Sequence, residues 1–191
     1  MSKYAMISFL MFATAAMAAT QIPASGNIFF GYSFQNASSS AFDFSDLSRP
    51  NMNGWRATLE GKMFPYLGIV ADFTGEYGSQ SHTILPPLGG GPVTLSIDGH
   101  ELDVLFGPRV TIPVGKFHPF GEAMAGVSHM STSAPNTGPS DTSFATALGG
   151  GLDYRLLRLV AWRFEGDYIQ TRFFGTHQNN FRFSTGVVVR F

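Results

Sequence analysis

The sequence predicts an all-β protein, an eight-stranded antiparallel up-and-down barrel that crosses a membrane with its strands. Three observations predict it. Large apolar residues alternate with polar or small ones at period two in eight separate segments, the pattern of strands with two different faces. The connections between those segments are alternately long and short. Only 13% of the 191 residues are charged, while 14% are aromatic and 22 are glycine; a soluble domain carries about 25% charge, so this outer surface suits something other than water.

The chain opens with "MSKYAMISFLMFATAAMAAT". One lysine, an apolar run from Tyr4 to about Thr14, and small residues at Ala16 and Ala18 read as a secretory signal peptide over residues 1–18, leaving 19–191 as one barrel domain. The apolar run is shorter than the roughly 20 residues of a spanning helix. No later segment reaches that length without a charge, glycine or proline, so any membrane crossing must be made by strands.

The strands follow in order. "NIFFGYSFQ" sets Ile28, Phe30, Tyr32 and Phe34 against Gly31, Ser33 and Gln35, and "GWRATLEGKMF" sets Trp55, Ala57 and Leu59 against Arg56, Thr58, Glu60 and Lys62. "LGIVADFTGEYG" places Ile69, Ala71, Phe73 and Tyr77 opposite Asp72, Thr74 and Glu76. "HELDVLFGPRVTI" places Leu102, Val104, Phe106, Val110 and Ile112 opposite Asp103, Gly107, Arg109 and Thr111. The fifth, "PFGEAMAGVSHM", alternates less cleanly, with Glu122, Met124 and Ser128 on one face. "SFATALGGGLDYR", "LVAWRFEGDYIQ" and the terminal "NNFRFSTGVVVRF" complete the set, the last with Phe181, Phe183, Val187, Val189 and Phe191 on one face and Arg182, Ser184 and Arg190 on the other.

Short links, "FPYL", "PVGKFHP" and "RLLR", join strands two to three, four to five and six to seven. The other connections are longer and rich in Ser, Gly, Pro and Asn, including "SQSHTILPPLGGGPVTLSIDG", expected to be the longest loop. Short turns at one end, long loops at the other and an even strand number are the layout of an outer-membrane barrel. A soluble lipocalin-type barrel would turn its apolar face inward, but the Phe, Trp, Tyr, Leu and Ile of eight strands would overfill an interior only just wide enough for side chains. The apolar face is therefore assigned to lipid and the charged face to the lumen. Aromatics near strand ends, Phe64, Tyr66, Phe117, Phe120, Tyr154, Trp162 and Phe191, are expected to form a girdle at the headgroups.

By the same parity the lumen should receive Arg56, Lys62, Arg109, Arg155, Arg163, Arg182 and Arg190 with Glu60, Asp72, Glu76, Asp103, Glu122, Asp153, Glu165 and Asp167. Such a balanced set is expected to pair across the interior and close it, because a charge taken out of water recovers its solvation only by pairing and hydrogen bonding.

The stretch "ALGGGLDYRLLRLVAWRFEGDYIQTRF", the turns "FPYLG" and "FHPFG", and the ending "STGVVVRF" resemble the eight-stranded OmpA-like outer-membrane β-barrel domain over essentially the whole mature chain. The resemblance implies the outer membrane of a Gram-negative bacterium, contact with its lipid, and Phe191 as an assembly signal read by the outer-membrane assembly machinery. The chain stops at the barrel, so the peptidoglycan-binding domain that follows in full OmpA-type proteins is expected to be absent.

Other function classes find little support. Lys3 is the only charge in the leader, so cleavage leaves 11 Lys+Arg against 13 Asp+Glu, which is no footprint for nucleic acid. With no cysteine there is no disulfide framework. "GGG" at 149–151 lies inside a strand and precedes no helix, which argues for a close-packed, strongly curved wall and against a phosphate cradle. His82 and His100 near Asp98 and Asp103 lack close ligand spacing, and no metal or cofactor is expected. His129 and Ser131 share a lipid-facing parity, and the lipid A deacylase family of barrels uses an outward His-x-Ser pair with a carboxylate. Here Thr132 replaces the asparagine that follows Ser in that family, and no outward carboxylate is evident, so no catalytic residue is assigned. A monomer with a structural or surface-interaction role, its long loops open to an extracellular ligand, is the expectation; a lipid-modifying esterase and a narrow porin are the alternatives.

Overall fold

A computed structural model describes residues 25–36, 51–84, 93–133, 140–172 and 178–191; the leader and the cut after Ala18 lie outside them. Eight strands, β1 (Gly26–Asn36), β2 (Asn51–Lys62), β3 (Leu67–Ile84), β4 (Val93–Thr111), β5 (Phe117–Ser133), β6 (Ser140–Arg155), β7 (Val160–Thr171) and β8 (Gln178–Arg190), pair with their sequence neighbours in one closed antiparallel barrel. Closure comes from β1 on β8, in a register running from Asn27↔Arg190 to Asn36↔Phe181. At the foot of that seam the Gly26 N–H donates to the Phe191 carbonyl at 2.9 Å and the Phe191 N–H to the Gly26 carbonyl at 3.1 Å. Within the closed wall no sheet edge is left, as a hydrocarbon environment demands of a β-structure.

The period of two sets inside and outside as expected. Phe30, Leu59, Phe106, Phe144, Leu148, Phe164, Phe181 and Val189 are exposed on the outer wall, while Arg56, Asp72, Arg109, Asp167 and Arg182 are fully buried inside it. Only such an inverted protein, apolar without and charged within, would be disfavoured in water and suited to lipid.

The short connections bear out their sequence signals. At the β4–β5 turn Val114 and Phe117 exchange backbone hydrogen bonds of 2.7 and 3.0 Å around Gly115 and Lys116. Gly115 has φ of 64°, the left-handed value that a two-residue hairpin asks of its first central position and that glycine adopts without a Cβ penalty.

Two expectations are corrected. The segment read as the longest loop is largely strand: β3 and β4 continue their pairing from Gly78↔Gly99 to Ile84↔Val93. Over the last five rows, from Gln80↔Ile97 to Ile84↔Val93, the pair extends beyond β5, whose pairing with β4 ends at Asp98↔Ser133, as a two-stranded ribbon about 17 Å long at roughly 3.4 Å per residue. Their sequence shows no regular alternation of apolar and polar residues, so nothing in it marks a strand. Phe120, assigned to the outer girdle, is 7% exposed and faces the lumen: it shares the parity of Glu122, so its place near a strand end does not bring it outside.

Candidate functional site in the lumen

The barrel interior is a stack of charged side chains delivered by inward positions of all strands. Twelve of the predicted lumen residues are buried there: Arg56, Glu60, Asp72, Glu76, Asp103, Arg109, Glu122, Asp153, Arg163, Glu165, Asp167 and Arg182. Lys62 and Arg190 lie only half-buried at the rim where the short turns are, Arg190 reaching Asp153 at 3.5 Å. Arg155 is exposed at the end of β6. Its parity is inward, but at the last residue of a strand there is no wall beyond it to enclose the side chain.

Arg56 on β2 occupies the centre. Its guanidinium donates to Asp72 and to Asp167 (2.7 Å), and lies 3.2 Å from Glu122 and 3.3 Å from Glu165. Arg182 on β8 sits above it, donating to Asp72 (3.0 Å), Asp167 (3.1 Å), Asp103 (3.4 Å) and the Thr74 hydroxyl (2.9 Å). Below, Arg109 on β4 bonds Glu122 through Nε at 2.6 Å, Glu165 at 3.1 Å and Glu60 at 3.3 Å. Planar guanidinium forks suit this work because each presents five donors in fixed directions.

The lowest layer is partly aromatic. Arg163 pairs with Asp153 through two bonds of 2.6 and 3.0 Å. The Phe120 ring lies between two guanidiniums, 4.4 Å from that of Arg109 and 4.6 Å from that of Arg163, and Phe29 approaches Arg163 at 5.2 Å. Cation–π contact is stronger where water is excluded, so the two phenylalanines plug the lumen without leaving the arginines in an apolar void. Neither was found from sequence, since an inward Phe has no local mark apart from strand parity.

The wall is shaped to admit these groups. Gly149 and Gly151 face inward on β6; a Cβ on Gly151 would come within 2.7 Å of the Phe120 ring, and one on Gly149 would collide with the Asp167 carboxylate. The triple glycine is thus room for two lumen side chains.

Charge is less balanced than the sequence suggested. Glu101 on β4 is 2% exposed and was missed although it lies within the segment read as the fourth strand, two residues before Asp103 and on the same face. Among the described residues nine buried carboxylates, Glu60, Asp72, Glu76, Glu101, Asp103, Glu122, Asp153, Glu165 and Asp167, face four buried arginines.

Among the outer-wall candidates Asp98 and His100 share the outward face of β4, and Ser131 is the register partner of His100. His100 points outward, its ring edge-on to Tyr77 at 5.1 Å between centroids, whereas Asp103 is inside, so strand alternation separates them as metal ligands. The side chain of His82 lies outside the described residues. His129 faces outward, and its Nδ1 is 2.7 Å from the Thr142 hydroxyl.

No family model matches the chain, and no curated protein does. Solved structures do. Neisserial surface protein A superposes with a TM-score of 0.65 at 14% identity, over 87% of this chain and 97% of that one. The fold is that of the eight-stranded outer-membrane barrels. Ail, the attachment invasion locus protein of Yersinia pestis, in complex with the heparin analogue sucrose octasulfate, gives 0.58 at 15% identity over 87% and 98%. OprG of Pseudomonas aeruginosa gives 0.51 at 10% over 90% and 97%. This chain shares with them a closed antiparallel barrel of eight strands.

Proposed function

We propose that this barrel is a closed, non-conducting monomer of the outer membrane, exported by a leader cut after Ala18, whose work is done by its extracellular end as a surface for binding. The observation that carries this reading is the division of labour along the strands. A tilted spanning strand needs about 9–11 residues, close to the lengths of β1, β2 and β7; β5 and β6 have 17 and 16, and β3 and β4, with 18 and 19, continue their mutual pairing beyond the end of β5. The extra residues build the raised ribbon, which the closed barrel itself does not need.

The chemistry of that end favours an uncharged or apolar ligand. Its connecting segments carry Asp43, Asp46, Arg49, Asp98, Asp141 and Arg172 and no cluster of basic residues, which a sulfated ligand of the kind seen with Ail would require. The ribbon tip "ILPPLGGGPV" is apolar and glycine-rich.

Replacing residues 81–96 by an Asn-Gly turn should leave a barrel that folds and reaches the surface, since Asn-Gly closes a two-residue hairpin. Cells carrying the shortened barrel are expected to lose the adhesion to one another or to host-cell monolayers that the full barrel confers. Equal adhesion with and without the ribbon would refute the reading.

A further inference from the structure

We propose that the extracellular half of the lumen binds a divalent cation of the calcium type between Glu76 and Glu101. Glu76 on β3 and Glu101 on β4 are direct register partners, both inward and 1% and 2% exposed. Like charges facing each other across a strand pair repel, and here neither carboxylate makes an ion pair with a described residue. The nearest cation in use, Arg182, is committed to Asp72, Asp167 and Asp103.

The groups around the pair are oxygen-rich. Ser33 donates to Glu76 at 2.6 Å, and Gln35 and Ser128 donate to Glu101 at 2.7 and 3.0 Å. Gln35 is 0% exposed, and its amide oxygen has no hydrogen-bond partner; nor does Oε2 of Glu76. A buried amide oxygen without a donor, set beside two carboxylates without a counter-ion, is the complement of a cation and not of an anion, and the two negative charges favour an ion over a neutral water. Two carboxylates, an amide oxygen and two hydroxyls form a hard, all-oxygen donor set, which suits calcium and offers zinc none of the sulfur or imidazole ligands it prefers. Two uncompensated negative charges match a divalent ion.

A second carboxylate group makes the contrast. Glu122, Glu165 and Asp167 bring oxygens within 4.8 Å of one another, closer than any other triad among the described residues. Arg56 and Arg109 already stand among them, so the guanidiniums serve there as the cations. The ion is inferred only where arginine does not reach. This inference is independent of what the ribbon binds.

The test uses the purified mature barrel in detergent, stripped with a chelator and titrated with calcium by calorimetry, with thermal unfolding followed in parallel. One saturable site and a higher unfolding temperature with calcium are expected. Glu101→Gln and Gln35→Leu should each weaken binding roughly tenfold or more, since affinity follows ligand charge and number, while Asp98→Asn on the outer wall should bind as the parent does. If Glu101→Gln fails to fold, Gln35→Leu, which removes no charge, carries the comparison. Absence of binding at millimolar calcium, meaning that the pair is held protonated, would overturn the proposal, as would unchanged affinity in the Gln35 and Glu101 variants.

Discussion

Replacing Arg56 by alanine should cost the barrel roughly 3–5 kcal/mol, the range found when one partner of a buried ion pair is removed and the other is left uncompensated. Arg56 is fully buried and lies against Asp72, Glu122, Glu165 and Asp167, so its loss leaves four carboxylates crowded around one vacated position. Arg182 and Arg109 touch some of the same acids but hold others as well, and neither reaches the centre without leaving its own partners. Urea unfolding of barrels refolded in lipid vesicles measures the effect. Asp98→Ala, outside on the ribbon, is the control and should stay within about 0.5 kcal/mol of the parent. Arg56→Lys should recover only part of the loss, because an ammonium cannot present the fork that serves several carboxylates at once. Equal stability of the Arg56→Ala and Asp98→Ala barrels would mean that the lumen charges contribute little to holding the structure.

The second large effect is expected from a single methyl group. Gly149→Ala puts a Cβ into the Asp167 carboxylate, 2.9 Å from its Cγ and 2.9 Å from the Gly166 carbonyl oxygen. The backbone oxygen cannot step aside within a paired strand, so Asp167 must move, and with it the bonds it accepts from Arg56 and Arg182. Overpacking of a filled interior typically costs about 1–3 kcal/mol, and the displaced ion pairs add to that. Gly121→Ala, on the neighbouring strand but facing outward, meets nothing closer than the Gly149 carbonyl oxygen at 3.9 Å. It should be tolerated within about 0.5 kcal/mol. Urea unfolding of the two variants side by side separates a steric demand of the lumen from a general intolerance of the barrel wall to side chains; similar losses in both would support the latter.

How far the sequence spoke depends on what surrounds each residue. Where lipid lies on one side and a polar interior on the other, the alternation is strong, and Arg56, Asp72, Asp167 and Arg182 could be placed inside from parity alone. From Ser79 to Ile84 and from Val93 to Gly99 the sequence loses that alternation, and both segments read as loop although they are paired strand. Glu101, inside the segment read as the fourth strand, was legible from the parity of Asp103. Phe120 was misassigned for a different reason: aromatic residues near strand ends are common outside, and only the contacts with Arg109 and Arg163, residues distant in the chain, explain a phenylalanine inside. Which arginine meets which acid was not legible at all, because those distances depend on how eight strands stagger around the barrel.

Packed ion pairs and the two inward phenylalanines are proposed to close the lumen to ions. Single-channel recording of the purified barrel in planar bilayers tests it most directly. With Arg56, Arg109, Arg182 and Arg163 each held by buried acids, and Phe29 and Phe120 filling the lowest layer, an eight-stranded barrel has little room left for an aqueous path. A flat baseline with no stable conductance steps at modest voltage is expected, and reproducible ion-selective steps from the same preparation would mean that the lumen is an open pore.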